Sequence, residues 1–475
     1  VSTFSAIELL RRALASHQRA LDVVGHNVAN VNTPGFTRQE VVLASVPPPG
    51  SLSRFGAPLL AGGGVRVASL RQARDVFLDR QLRQARQGSA EWRARADFWS
   101  QVEAVFPEPS DVGFGELLAR FWNAWQEVSL NPESLAARTS LVQQAQVLTD
   151  ALRQAAQRLD QVRQHLDAVA TGHVERVNQI ARELASVNVQ IARLEVSGQA
   201  ALDLRDHREQ LLAELEELAD VTYSEADTGE LLVYLQGREL VGPGGRSTEI
   251  AVALGPGGLH TFTWPDGEDL VARRGTLAAV LQARDGDAGV AKLRASLDTV
   301  ARHLVDQVNH LHRRGFGLDG LSRRNFFYDP RGDDPEPPPD DEPPPVDAAS
   351  IRLDDAVLND PRRVAAAGSW GGDGEPGNGD VARRIAQLRG SDAIDGEYRT
   401  LVAEVGVRSQ EARRQVAYQE LLANQVRLRR EATSGVSLDE EMTNMIRFQH
   451  AYDAAARMVR TVDEMVRTLL DMVGR

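Results

Sequence analysis

The chain has 475 residues, a quarter of them charged (25%), a formal net charge of −13 and no cysteine. That length accommodates two or three domains, and the absent cysteines exclude disulfides and thiolate metal sites. The acidic balance argues against nucleic acid, which demands a basic face, and no apolar run reaches membrane-spanning length.

The first segment carries Ile7, Leu10, Leu14, His17, Leu21, Val24, Val28 and Val31 at alternating steps of three and four. This is the period of a coiled-coil seam, apolar at every position except His17. Thr33-Pro34-Gly35 stops the helix, because Pro34 offers no N–H and forces Thr33 out of the helical region. Pro34 and Gly35 suit the two central positions of a type II turn, the second of which needs φ > 0. Asn27, Asn30 and Asn32 crowd the helix end, where Asn30 and Asn32 can cap the last carbonyls. Phe36 then opens an extended run through residues 41–43.

Glycine and proline at 47–50 and 62–64 break regular structure, and Val65-Arg66-Val67 reads as a short strand. Helices are expected over 70–87, 90–106 and 114–130, the last carrying Trp122 and Trp125. Asn131-Pro132-Glu133 has the form of a helix start. A long helix should follow, with a heptad seam from Leu141 to Val169, an interruption at Gly172, and a resumed seam from Val177 to Leu194. The next helix contains Leu202-Asp203-Leu204-Arg205-Asp206-His207-Arg208-Glu209-Gln210-Leu211-Leu212, whose charges fit a surface ladder equally well.

The character changes at 222–263, where residues 231–235, 249–252 and 261–264 are strand-like and separated by turns. Helical pattern returns at 276–283 and 290–313. Residues 329–345 are nearly all Asp, Glu and Pro, a solvated linker that cannot build a core. After a Gly-rich stretch at 368–379, helices are expected at 381–388 and 398–431. The last segment places Leu438, Met442, Met445, Phe448, Tyr452, Ala455, Val459, Val462, Val466, Leu469 and Val473 on one stripe, behind a capping-box spacing at Ser437 and Glu440.

The string Asn27-Val28-Ala29-Asn30-Val31-Asn32-Thr33-Pro34-Gly35-Phe36-Thr37-Arg38-Gln39 resembles the N-terminal motif of the bacterial flagellar rod, hook and hook-associated family. Its Phe36-Thr37-Arg38-Gln39 form is most similar to the hook–filament junction members. The tail from Gly435 to Glu441, Arg447 to Tyr452, the 202–212 string and Gly315 to Gly320 with Asn325-Phe326-Phe327 resemble the same family.

No reaction chemistry is legible: there is no His-Glu-x-x-His, phosphate-binding loop or Gly-x-Ser-x-Gly elbow. His303, His310 and His312 lack an acidic partner nearby and read as satisfied or exposed histidines. The chain is therefore expected to be no enzyme and to hold no cofactor or metal. The fold expected is mainly α, a discontinuous rod-like helical bundle with its N- and C-terminal coiled-coil helices paired and a small β-rich insertion. Residues 1–46 and 436–475 would form the inner terminal domain. Residues 47–220, 271–328 and 380–435 would form the helical bundle, 221–270 the β insertion and 329–379 the linker region. The seam residues Ile7 to Val31 other than His17, and the stripe residues Leu438 to Leu469 other than Ala455, are the expected assembly interface, with Asn27, Asn30, Thr33, Pro34, Gly35 and Phe36 as the motif turn.

Composition alone, with no charged-then-apolar signal segment at the start, reads as cytoplasmic. The resemblance implies instead a structural protein that leaves unfolded through a type III export channel and polymerises outside the cell where hook meets filament. It further implies as partners other copies of the chain, the hook protein, the second junction protein and an export chaperone on the C-terminal helix. A rod or hook subunit is the alternative, with a cytoplasmic coiled-coil adaptor or an enzyme behind it.

Overall fold

The computed structural model describes residues 3–47, 63–255, 257–331, 346–370 and 377–473. In chain order the elements are α1 (Thr3–Ala29), β1 (Gln39–Ser45), β2 (Val65–Gln72), α2 (Val76–Val105), α3 (Phe114–Leu130), α4 (Leu135–Val196) and α5 (Leu202–Leu218). Strands β3 (Val221–Glu225), β4 (Leu231–Leu235), β5 (Arg238–Val241), β6 (Ala251–Leu254) and β7 (His260–Thr263) follow. The remainder is helical: α6 (Gly275–Asp285), α7 (Val290–His312), α8 (Asp355–Asn359), α9 (Asp380–Ala386), α10 (Glu397–Ser434) and α11 (Leu438–Val473). The mainly helical class and the pairing of the terminal helices stand as the sequence implies.

Two compact units form. The first holds Val1–Ser89, Arg176–Glu249 and Gln419–Arg475, and the second holds Ala90–Glu175 and Ile250–Tyr418. In the first unit α1 packs along α11 and against the antiparallel β1–β2 hairpin, which carries a register shift between Val42 and Leu43. The three-stranded antiparallel sheet β3-β4-β5 buries Leu231, Val233 and Leu235, alternate residues of β4, and α5 buries Leu211, Leu212 and Leu215. This is the period-two burial that one covered face of a sheet imposes.

In the second unit α3 packs on α9, and α7 packs on α6 and α9. The core there is aromatic: Phe121, Trp122, Trp125, Phe326 and Phe327 are all buried, with Phe326 5.0 Å from Trp125 and 4.9 Å from Phe327 between ring centroids. Asn309, fully buried, accepts the N–H groups of Phe326 and Phe327 and donates to the Phe327 carbonyl, each at 2.9 Å. The β6–β7 hairpin is pinned by Asp167, which accepts the His260 N–H at 2.9 Å and pairs with the Arg284 guanidinium.

Several local expectations are corrected. One helix, α2, replaces the two expected over 70–87 and 90–106, and residues 70–72 extend β2 instead. Gly88 does not break α2; a Cβ there would lie 3.0 Å from the Gln419 side chain, so the glycine lets α10 approach. Gly172 likewise leaves α4 unbroken, at the usual cost of about 1 kcal/mol for an interior helical glycine. Asn131-Pro132 does not open α4. Asn131 ends α3 by donating its N–H to the Glu127 carbonyl, and Ser134 caps α4 by accepting the Ala137 N–H at 3.2 Å. Strand β5 escaped the sequence reading because Arg238 and Glu239 interrupt its apolar run, and the strands over 221–263 form separate sheets, with β6–β7 in the second unit. Most of the acidic linker and half of the Gly-rich stretch at 368–379 lie outside the described residues.

Candidate assembly site at the paired termini

Helix α1 turns its most buried residues, Leu10, Ser16, Ala20, Val23, Val24 and Asn27, inward. Of the expected seam, Leu10 and Val24 are buried, Leu14, Leu21, Val28 and Val31 are half-buried, and Ile7 is exposed. On α11, Ala455 is buried and Met445, Phe448, Tyr452, Val459, Val462 and Val466 are half-buried, whereas Leu438 and Met442 are exposed. The Leu469 side chain lies outside the described residues. His17 stands 6.4 Å from Phe448 between ring centroids, and burial lowers its pKa. The two helices are antiparallel: Asn27 meets Glu441 at one end, and His17 meets Phe448 further along.

The motif turn closes as its sequence dictates. Phe36 donates its N–H to the Thr33 carbonyl at 3.2 Å, and Gly35 takes φ +80°. Asn30 returns its side-chain N–H to the His26 carbonyl at 3.0 Å and accepts the Thr33 hydroxyl at 3.1 Å, satisfying a helix end. The Phe36 ring meets His26 edge-on at 5.4 Å. Asn27 has the widest reach. Its carboxamide exchanges two hydrogen bonds with the main chain of Gln39, both 2.9 Å, and donates to Glu441 at 3.1 Å.

Three other elements of the first unit grip the segment after the turn. From α5, Asp206 accepts the Thr37 N–H at 3.1 Å, Asp203 accepts from the Gln39 side chain at 2.7 Å, and Gln210 donates to the Pro34 carbonyl at 2.8 Å. From α10, Ser434 accepts the Arg38 N–H at 3.1 Å and Arg430 donates to Thr37 at 3.2 Å and to Asp79 of α2 at 3.0 Å. From α11, Glu440 pairs with Arg38. The charges of the 202–212 string are thus more than a surface ladder. Asp206 and Arg208 are buried, and Arg208 donates to the Gly229 carbonyl at 2.7 Å. Sequence periodicity could not reveal the burial of Asp206, because its partner Thr37 lies 169 residues away.

A cavity of about 560 Å³ lies beside the turn, walled by Gly35, Asp206, Gln210, Arg74, Arg83 and Arg430 among others. Its charges compensate one another. Burial alone would raise the Asp79 carboxyl, but Arg74 and Arg430 hold it below the ordinary range. Burial pushes Asp206 above that range, partly offset by the Thr37 N–H. Arg74 also pairs with Glu209 at 2.6 Å. Ion pairing of this kind fixes geometry, and structural ion-pair networks perturb carboxyl pKa values in the same way as functional sites do. Among the described residues no group of three or more His, Asp and Glu side chains is placed to hold a metal ion. His303 and His312 bond backbone carbonyls of Ala393 and Arg324, and His310 is exposed.

One signal was passed over in the sequence. Leu421 and Leu428 of α10, seven residues apart, are both exposed, as are Ile446, Met458 and Met465 of α11.

Comparison with known proteins gives three family matches. Residues 99–327 match the flagellar hook-associated protein FlgK helical domain, residues 431–472 the flagellar basal body rod FlgEFG protein C-terminal region, and residues 7–37 the flagella basal body rod protein. The chain is 30% identical to flagellar hook-associated protein 1 of Bacillus subtilis, covering 100% of this chain and 99% of that one. Against flagellar hook-associated protein 1 of Escherichia coli the identity is 23%, with 98% and 100% covered. The fold resembles that of the flagellar hook junction protein FlgK from Burkholderia pseudomallei, with a TM-score of 0.62, 15% identity, and coverage of 74% of this chain and 100% of that one.

Proposed function

The chain belongs to the flagellar hook-associated protein 1 family, structural proteins of the hook–filament junction outside the cell, and from that premise we propose how it is built in. It polymerises at the distal end of the hook and adapts the hook to the filament. Residues 1–46 and 436–475 form the inner layer, and the other helices lie outside it. Copies of the chain are its first partners, the hook protein lies below and the second junction protein above. An export chaperone covers the C-terminal helix beforehand.

The observation that carries this reading is the two-sided apolar character of α11. One face packs on α1, while Leu438, Met442, Ile446, Met458 and Met465 stay exposed. At roughly 25 cal/mol per Å² of apolar surface, covering these side chains contributes several kcal/mol per copy before ordering costs. The alternative, a rod or hook subunit, is disfavoured by the match of residues 99–327 to the hook-associated helical domain.

The test uses Met442→Asp and Ile446→Asp, whose side chains are about half exposed, at 48% and 51%. Both variants should keep the circular dichroism of the parent and fail to add to isolated hooks. Normal addition would remove α11 from the interface. Immunogold label against residues 131–220 should form one narrow band where hook meets filament, and label along the hook would return the chain to the hook-subunit reading.

A further inference from the structure

Asp203, Asp206 and Gln210 are spaced i, i+3 and i+7, so they share one face of α5. They meet Gln39, Thr37 and Pro34 in reverse order. Two of the three contacts read the main chain of the segment, the Thr37 N–H and the Pro34 carbonyl. The central residue, Asp206, is buried, and the two flanking ones are exposed. A shielded central bond between two rim bonds is the arrangement of a docking site.

Helix α5 is held independently of this contact. Its opposite face buries Leu211, Leu212 and Leu215, Arg205 pairs with Glu195 of α4 at 2.7 Å, and Arg208 reaches the Gly229 carbonyl beside β4. The segment that docks follows the turn after α1, its Thr37 and Gln39 are buried against this face, and the cavity lies beside it.

We infer that Asp203, Asp206 and Gln210 are positioning residues: α5 is the preformed ledge on which residues 34–39 dock, and this docking sets the direction in which α1 meets α11. The two strings that mark the family separately in the sequence, 27–39 and 202–212, are the two halves of one contact. The consequence for polymerisation rests on the assembly reading above; the docking itself does not.

Hydrogen exchange on the full chain tests it. Asp206→Ala should lower protection at residues 34–39 and along the end of α1 by about tenfold or more, leaving β3–β5 unchanged. Asp206→Asn keeps an oxygen for the Thr37 N–H and should restore most of the protection. The pair Asp203→Ala and Gln210→Ala should loosen the same segment without touching the buried anchor. Unchanged protection at 34–39 in either variant, or a loss spread over β3–β5, would overturn the ledge. Addition to isolated hooks is read separately: an Asp206→Ala chain that is loosened at 34–39 yet adds normally upholds the docking and counts against the assembly reading.

Discussion

Asn27 and Glu441, 414 positions apart in the chain, are joined by a 3.1 Å hydrogen bond between side chains that are both almost wholly buried. Glu441 sits in the first turn of α11, where the positive end of the helix dipole favours a carboxylate. Asn27 uses both amide hydrogens and its oxygen at this point, because it also bridges the main chain of Gln39. One side chain therefore ties α1, the start of β1 and the start of α11 together.

Asn27→Ala leaves the Gln39 N–H and carbonyl and the Glu441 carboxylate without their partner. The expected cost is roughly 2–4 kcal/mol, at 1–3 kcal/mol per unsatisfied buried group with partial relief by water. Glu441→Gln keeps an acceptor oxygen and should cost about 1 kcal/mol or less. Urea unfolding followed by exchange at residues 3–45 measures both. Equal losses for the two variants would mean that the Glu441 charge, which the amide lacks, carries most of the contact.

Gly35→Ala meets two obstacles. Its φ of +80° is unfavourable for any residue with a Cβ, and that Cβ would run into the Gln210 side chain. The expected loss is about 2–4 kcal/mol, the backbone share being about 1–2 kcal/mol. In a Gln210→Ala background the clash disappears and only the backbone share should remain. A double-mutant cycle by denaturant unfolding reads the difference, and strict additivity would place Gln210 away from the turn.

These two sites divide what the sequence discloses from what it hides. Thr33-Pro34-Gly35 announces its turn through local sterics, and the glycine adopts the positive φ that the turn type requires. Apolar steps of three and four likewise disclose the helices and the paired ends, since burial of one stripe is a local demand. Asn27 and Asp206 are different. Each looks like an ordinary polar residue on a helix, and each proves to be buried because its partner arrives from a distant element. Long-range hydrogen bonding leaves no periodic trace. Gly88 and Gly172 mislead for a related reason: a glycine's cost in a helix is about 1 kcal/mol, small enough for packing over 30 or more residues to override.

In the second unit, Phe326 lies within ring contact of Phe121, Trp125, His312 and Phe327. Phe326→Ala should cost about 3–5 kcal/mol, the range for deleting a fully buried ring. Tryptophan emission follows it directly, because Trp122 and Trp125 are buried in the same cluster and redden when water enters. Phe326→Leu, which refills part of the volume, should recover more than half of the loss. Equal losses for the two would point to a demand for the ring itself.

His312 makes this same core sensitive to acid. Its ring is almost fully buried, donating from Nδ1 to the Arg324 carbonyl and accepting the Ala365 N–H at Nε2, both 2.8 Å. Only the neutral ring can do both, since a proton on Nε2 would face a donor. Burial, with Arg138 and Arg324 nearby, lowers its pKa from 6.5 to about 4, although the bond to the Arg324 carbonyl opposes the fall. A folded pKa below the unfolded value means that the unfolded chain takes up the proton first. The stabilisation is therefore complete above pH 6.5 and is lost as the pH falls towards 4. A shift of this size corresponds to roughly 3 kcal/mol. The second unit's unfolding midpoint should fall across that window, and His312→Gln, whatever its own cost, should flatten the fall. The ring's proton resonance, followed by NMR, should titrate near pH 4; a midpoint at the ordinary histidine value would mean that Nε2 is open to water and that the acid sensitivity of this unit has another source.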